Sequence, residues 1–267
     1  MPLYRTSRLL TAAAVVHGFT GREGGVSVGP YASLNLGFGA GDDAAAVEQN
    51  FARLAQAAGL SGFATVSQVH GDRVLRASRA GPLREVFPES SAVPLAPHDG
   101  ADVLLSLEPG VAVAVRAADC VPILLYAEDA GAVAAVHSGW KGTRLAVAGR
   151  AVRALQHEAA AEPARMLAAI GPCIGRCCYQ VSPELASIFR GLFGVDVADD
   201  PEGPRKPHLD LRVCVERALL AAGVPIERIE QVGPCTSCDP ACFSHRRDRG
   251  LTGRQVGFIA AREPAHI

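Results

Sequence analysis

Three side chains of this chain could share a soft transition metal. They are His70 in "SQVHGD", Cys120 in "AADCVP" and His137 in "AVHSGW", each placed where an apolar run gives way to turn residues. Two imidazoles and a thiolate make an open zinc site, with three protein ligands and a fourth position for water or substrate. A metal held there would acidify a bound water or polarise a substrate atom. The same groups also suit covalent chemistry, with Cys120 as nucleophile and His137 or His70 as its base. Taken one at a time they admit a plainer reading: His70 caps a turn, Cys120 packs as a small apolar group and His137 is a hydrogen-bonded core histidine.

To act together the three must be gathered at one side of a sheet, as open α/β sheets gather residues at their strand exits. The chain has the means. Its 267 residues, 49% of them apolar and 20% charged, can bury a full core, and a single domain over residues 1–267 is expected. "AVVHGF" reads as a strand, and "DDAAAVEQNFARLAQAAGL" as a helix with Asp42 or Asp43 at its N-cap and Gly59 at its stop. "FATVSQVHGDRVL" reads as two short strands around a His-Gly turn, and the Pro-, Ser- and Gly-rich stretch "ASRAGPLREVFPESSAVPLAPHDGAD" as a surface loop. From Ala101 the runs "ADVLLSL", "VAVAVRAADC", "VPILLY" and "GAVAAVH" suit strands buried on both faces, at the centre of the sheet. "TRLAVAGRAVRALQHEAA" has helical spacing with Thr143 as its N-cap. "RMLAAIGPCIG" reads as a strand, "SPELASIFRGLF" and "LDLRVCVERALLAAGV" as helices, and "GRQVGFIAA" as a last strand. The expected fold class is therefore α/β or α+β, with a mixed sheet and helices packed on it.

Composition narrows the function. A net charge of -1 gives no basic field for neutralising phosphates, so a nucleic-acid partner is not expected. Charged, Gly or Pro residues interrupt every apolar run before the roughly 20 residues a membrane span needs. The N-terminal "LLTAAAVV" leads into "HGFTGREGG" without a clear cleavage site, so a cytoplasmic location is expected. Eight cysteines in such a chain point to metal or catalysis rather than a disulfide scaffold. Cys235, Cys238 and Cys242, with Cys173, Cys177 and Cys178, could form a structural zinc site, although only Cys235 and Cys238 supply a C-x-x-C half-site. The "PCTSC" stretch matches half of the zinc deaminase signature, but no H-x-E occurs in the chain. "SGWK" lacks the S-D-N and K-T-G partners of a penicillin-binding serine enzyme, and "GFGAGDD" lacks the Lys-Ser/Thr of a phosphate loop.

The blocks "HGFTGREGGVS", "YASLNLG", "GDDAAAVEQN", "SQVHGD", "ADCVPILL", "AVHSGWKGT", "IGPCIGRCCYQV" and "FSHRRDRGLTGRQVGFI" resemble, in this order, those of the multicopper polyphenol oxidase or laccase-domain family. That family is also called the purine nucleoside phosphorylase and peptidoglycan editing factor family. The resemblance spans nearly the whole chain and is most specific in the ADC and HSGWKGT pair. It implies a catalytic zinc site on His70, Cys120 and His137, with copper as the alternative metal. It further implies that Arg22, Asn35 and Arg246, which fall in matching blocks, bind substrate or phosphate. The implied substrates are purine nucleosides (adenosine, inosine, guanosine, methylthioadenosine) and phosphate, with phosphorolysis as the reaction and deamination of adenosine as a second activity. No obligate protein partner is implied. Asp119 is a weak proton shuttle for deamination, because neighbours on a strand point to opposite faces.

Two other readings stand beside it. A polyphenol oxidase needs several copper centres and more histidines than three, whereas His17, His70 and His137 are the histidines that match the family in its blocks, and His98, His157 and His266 read as surface residues. A cysteine hydrolase acting on peptidoglycan precursors would use the same three side chains without a metal. The chain departs from the family around the last block, where Cys242 stands in place of an aromatic and His245 in place of a tyrosine.

Overall fold

The runs between Val103 and Ser138 do form strands, with every residue of three of them buried, as expected for strands covered on both faces. The computed structural model describes residues 3–86, 100–201 and 204–263. Among these the first half contains β1 (Tyr4–Arg5), α1 (Arg8–Thr11), β2 (Val15–Thr20), α2 (Ala44–Ala58), β3 (Val74–Ala77), β4 (Arg84–Val86), β5 (Val103–Ser106), β6 (Val113–Ala117), β7 (Val121–Ala127) and β8 (Ala132–Ser138). The second half contains α3 (Trp140–Arg144), α4 (Val147–Ala159), β9 (Met166–Ile170), α5 (Pro183–Phe193), α6 (Leu211–Ala221), β10 (Ile229–Gln231) and β11 (Gln255–Ala261).

The α/β class holds, but the sheet is divided. Seven strands form a mixed sheet in the order β10-β9-β7-β8-β5-β3-β4, and four form an antiparallel sheet in the order β1-β2-β11-β6. The run "VAVAVRA" thus belongs to the second sheet. Alternation along the strands explains the layering. Leu105, Ile123, Leu125 and Val136 face one way and meet Val152 and Leu155 of α4 and Val215 and Leu219 of α6. Leu104, Leu124, Val133 and Ala135 face the other way and meet Phe19, Val113, Val115 and Ile259 of the smaller sheet. Leu54 of α2 covers the outer face of that sheet at Ala114, Val256 and Phe258. Full burial of each large apolar side chain stabilises the stack by roughly 1.5–3 kcal/mol before chain entropy is counted.

One local expectation holds and several needed correction. Helix α2 starts at Asp43, whose side chain accepts from the Ala45 amide, and stops at Gly59 in the left-handed conformation at φ 66°. The helix expected from Thr143 is two: α3 ends and α4 restarts through Ala146 at φ 53°, and Thr143 sits inside α3 with its hydroxyl bonded to the Gly139 carbonyl. Only one strand flanks the His70 turn. On the other side the Gln68 side chain donates to the Arg116 carbonyl at 2.7 Å and accepts from the Arg116 amide at 2.8 Å, satisfying main-chain groups that a strand would have paired. Of the expected loop after β3, residues 84–86 form β4, and residues 87–99, which include His98, lie outside the described residues, as does His266. Among the described residues no helix is long and apolar enough to cross a membrane.

Candidate metal centre and cavity

Antiparallel pairing explains why residues far apart in sequence meet. In the β7–β8 hairpin Val121 pairs with Ser138 and Pro122 with His137, so Cys120, just before β7, lies beside the end of β8. Strand β5 pairs Val103 with Val136, and the parallel pair β3–β5 matches Val74 with Val103. The segments leading into β3, β5 and β7 and the end of β8 therefore share one end of the sheet. Cys120 and His70 sit at strand entries, not exits, because the sheet is mixed.

One candidate ligand atom from each of His70, Cys120 and His137 falls within 4.8 Å of the others. The two imidazoles meet edge to face, with ring centroids 4.8 Å apart. His137 is buried, Cys120 half-buried and His70 exposed, so the cluster opens on one side. Gly139 makes the space: a Cβ there would stand 2.9 Å from His70 Nδ1, closer than a real Cβ comes, and 3.0 Å from Cys120 Sγ, a crowded contact.

The residue that organises the cluster had no signal in the sequence. Asp102 is fully buried, and its carboxylate accepts from the amides of Val69 (3.3 Å), His70 (3.0 Å) and Gly71 (2.7 Å) and lies 2.6 Å from His137 Nδ1. A carboxylate that already takes three amide donors is an acceptor toward the ring, so Nδ1 donates to Asp102 and Nε2 is the nitrogen left to face a metal once its own proton is lost. This is the carboxylate–histidine arrangement that prepares an imidazole for a metal. It also pins the His70 turn, where His70 itself adopts the left-handed conformation at φ 59°, uncommon for a non-glycine residue. Burial opposes ionisation of both Cys120 and His137, yet their mutual attraction prevails. The charge and hydrogen bonds of His137 and His70 bring the Cys120 thiol down to about 6. The Cys120 charge and the Asp102 hydrogen bond carry His137 up to about 9. Cys120 is thus a ready thiolate ligand, and metal binding at His137 would displace a proton.

The cluster lies in the wall of a cavity of about 570 Å³, a size that suits a small-molecule ligand. Phe38, Trp140 and Tyr179 supply aromatic faces, and Arg116, Lys141, His245, Arg246 and Arg254 supply donors. Arg116 lies in β6 and Arg254 just before β11, whose first residue, Gln255, pairs with Ala117. Burial, and for Arg116 the nearby Arg254 charge, hold both guanidinium groups below their usual range. Neither forms an ion pair among the described residues. Arg116 also donates to the Val66 carbonyl and Arg254 to those of Thr252 (2.8 Å) and Gly253 (2.9 Å), and two like charges kept close together and partly desolvated suit an anion. The sequence carried a trace of Arg116 as the one charge inside the apolar run "VAVAVRA".

The other expected binding residues are placed differently from one another. Arg246 lines the cavity, but its guanidinium donates to the carbonyls of Cys178 (3.3 Å) and Gln180 (3.1 Å) and lies over the Tyr179 ring. Asn35 is fully buried behind the wall. Its Oδ1 accepts from the amides of Gly37 (2.9 Å) and Arg254 (2.8 Å), so it positions both without lining the space. Arg22 does not line the cavity. Its Nε donates to the Ala32 carbonyl at 2.9 Å and its guanidinium lies 4.9 Å from the Phe243 ring centroid, which makes it a brace between loops. Asp119 is not on a strand: it lies in the bend before β7 at φ 89° and lines the cavity beside Cys120, so strand alternation does not apply. Both its oxygens are engaged, by the Thr236 hydroxyl and the Arg246 amide, each at 2.6 Å.

Two further histidines stay apart from the cluster. His17 is buried in the core, where Nε2 accepts from the Ser7 amide at 2.9 Å, and His157 is exposed on α4.

Comparison with known proteins finds relatives along nearly the whole chain. The chain is 40% identical over 256 residues to purine nucleoside phosphorylase YlmD of Geobacillus stearothermophilus, covering 94% of this chain and 92% of that protein. It is 39% identical over 261 residues to a purine nucleoside phosphorylase of Deinococcus radiodurans, covering 97% and 92%. The crystal structure of YlmD from Geobacillus stearothermophilus superposes with a TM-score of 0.84 at 35% identity, covering 98% of this chain and 100% of that one. Residues 16–262 match the family described as multi-copper polyphenol oxidoreductase laccase, and the chain belongs to that family.

Proposed function

We propose that this chain is a zinc-dependent purine nucleoside phosphorylase. One observation carries the reading: an open His70–Cys120–His137 cluster, backed by buried Asp102, shares a cavity with Arg116 and Arg254, which no carboxylate pairs among the described residues. Three N/S ligands with an open position fit zinc. A zinc ion held by these residues would supply positive charge toward the electron density that builds on the purine as it leaves.

The protein's own groups do the rest. Arg116 and Arg254 bind phosphate, which guanidinium suits through its paired donors, and hold it for attack on the ribose C1'. A phosphate oxygen bonds to C1' as the C1'–N9 bond breaks; the bonding pair leaves with the base, which takes up a proton. The products are a purine and ribose 1-phosphate. Phe38, Trp140 and Tyr179 offer faces on which a purine can stack, and Asn35 holds the Gly37 loop and Arg254 in register. The same cavity would admit adenosine for hydrolytic deamination.

The test is chromatographic. Purified protein is incubated with adenosine, with and without phosphate, and adenine, ribose 1-phosphate and inosine are followed. Phosphate-dependent adenine and ribose 1-phosphate in equal amounts support phosphorolysis, inosine without phosphate supports deamination, and no turnover of adenosine, inosine or guanosine overturns the reading.

A second reading draws on the Cys120–His137 pair. A thiol brought to about 6 beside an imidazole raised to about 9 is also the state of a cysteine nucleophile and its base. Covalent labelling of Cys120 by a substrate ester, insensitive to chelators, would favour this hydrolase; inhibition by chelators favours the metalloenzyme. A multicopper oxidase finds less support: among the described residues the cavity is lined by three histidines, His70, His137 and His245, and His17 and His157 lie away from it.

A further inference from the structure

We propose that Cys177, Cys178, Cys235 and Cys238 form a second, closed metal site that binds zinc through four sulfurs. This goes beyond the proposed activity and does not depend on it. The sequence offers only one C-x-x-C half-site; the structure supplies the other half from the adjacent pair Cys177–Cys178. All four sulfurs lie within 4.8 Å of one another, with Cys178 Sγ 3.4 Å and Cys177 Sγ 3.6 Å from Cys238 Sγ. Four sulfurs around a tetrahedral zinc, at bonds of about 2.3 Å, stand about 3.8 Å apart. Cys173, Cys214 and Cys242 are buried and their sulfurs do not join the group, so the ligand set expected from sequence is corrected.

The surroundings are built for the cluster. Cys173 and Cys235 pair as a parallel bridge, and the Thr236 amide donates to the Cys173 carbonyl at 3.0 Å, which brings the two cysteine-bearing loops side by side. The Gly175 amide donates to Cys235 Sγ at 3.1 Å, as main-chain amides do around metal-bound thiolates. A Cβ on Gly175 would crowd Cys235 Cβ at 3.1 Å and Cys177 Sγ at 3.3 Å. Each loop also reaches the main cavity: Tyr179 follows Cys178, Arg246 bonds to the Cys178 carbonyl, and Thr236 bonds to Asp119. With four protein ligands the site has no open position, so its role is to clamp the two loops that form this wall.

Zinc content is measured by elemental mass spectrometry on reduced, purified protein. About two zinc per chain are expected in the wild type, and about one in Cys120→Ala and in the Cys235→Ser/Cys238→Ser double variant. Because the double variant can fail to fold, zinc-edge X-ray absorption on Cys120→Ala gives an independent reading: it is expected to show four sulfur neighbours at about 2.3 Å. Zinc in Cys120→Ala with nitrogen neighbours, no zinc in that variant, or two cysteines of the four found oxidised to a disulfide in protein purified without reductant would overturn the proposal.

Discussion

The two thiol-bearing clusters of this molecule differ in what holds them. The His70–Cys120–His137 cluster stands at the end of a sheet. Its ligands come from strand ends in fixed register, and buried Asp102 ties His137 to the His70 turn. The four-cysteine cluster stands on two loops near the surface, with Cys177 and Cys238 exposed, and its cross-links are a single bridge and a few amide bonds. The first has three donors and a cavity beside them, which is the form of a site that works on a substrate. The second has four donors, which is the form of a site that holds structure. The protein itself holds the first cluster rigid, whereas the second would draw its rigidity from a bound metal.

Substitutions that touch one cluster only should separate these roles. Gly139→Ala drives a methyl group between His70 and Cys120 and should lower nucleoside turnover about 100-fold or more while the four-cysteine site keeps its zinc; steady-state rates and metal content check both halves. Asp102→Asn keeps the shape but removes the charge behind His137, and should weaken zinc at the open site by about 10- to 100-fold in a competition titration with a chelator. Arg254→Met should raise the KM for phosphate roughly tenfold or more, the worth of a charge-assisted hydrogen bond, with the KM for adenosine little changed; an equal rise in both would move the phosphate site elsewhere.

The smallest effect concerns two buried histidines. His137, facing Asp102 and Cys120, is carried up to about 9, whereas His17, burial prevailing, is held down to about 4. Between the ordinary value of 6.5 and about 4 the unfolded chain takes up the His17 proton before the folded chain does, so folding stability falls as pH drops through that window. His17→Gln, which keeps an acceptor for the Ser7 amide, should flatten this acid slope in denaturant titrations at several pH values and leave zinc binding unchanged.

The sequence made the three open-site ligands visible because each ends an apolar run with a residue that suits chemistry better than a turn. Asp102 was hidden, because its meaning lies in main-chain amides of Val69, His70 and Gly71, which no spacing rule reaches. Arg254 was hidden by its neighbours in the basic stretch that begins at Arg246, and Arg22 stood out although it lies outside the cavity lining, with its Nε on the Ala32 carbonyl. The C-x-x-C of the second cluster was legible, but its partner pair was not, since two adjacent cysteines become ligands only once the Gly175 turn presents them together. In the same way the central strands were legible from composition, while the division into two sheets was not: β6 and β5 have the same apolar texture, and only the pairing of β6 with β11 separates them.

The most direct measurement is phosphate-dependent adenine release by protein treated with a chelator and then given one equivalent of zinc for the open site, with metal content followed throughout. Turnover is expected to disappear and to return with that one equivalent, and Cys120→Ala is expected never to recover it. Full turnover in the stripped protein, or in Cys120→Ala, would contradict a zinc-dependent phosphorylase.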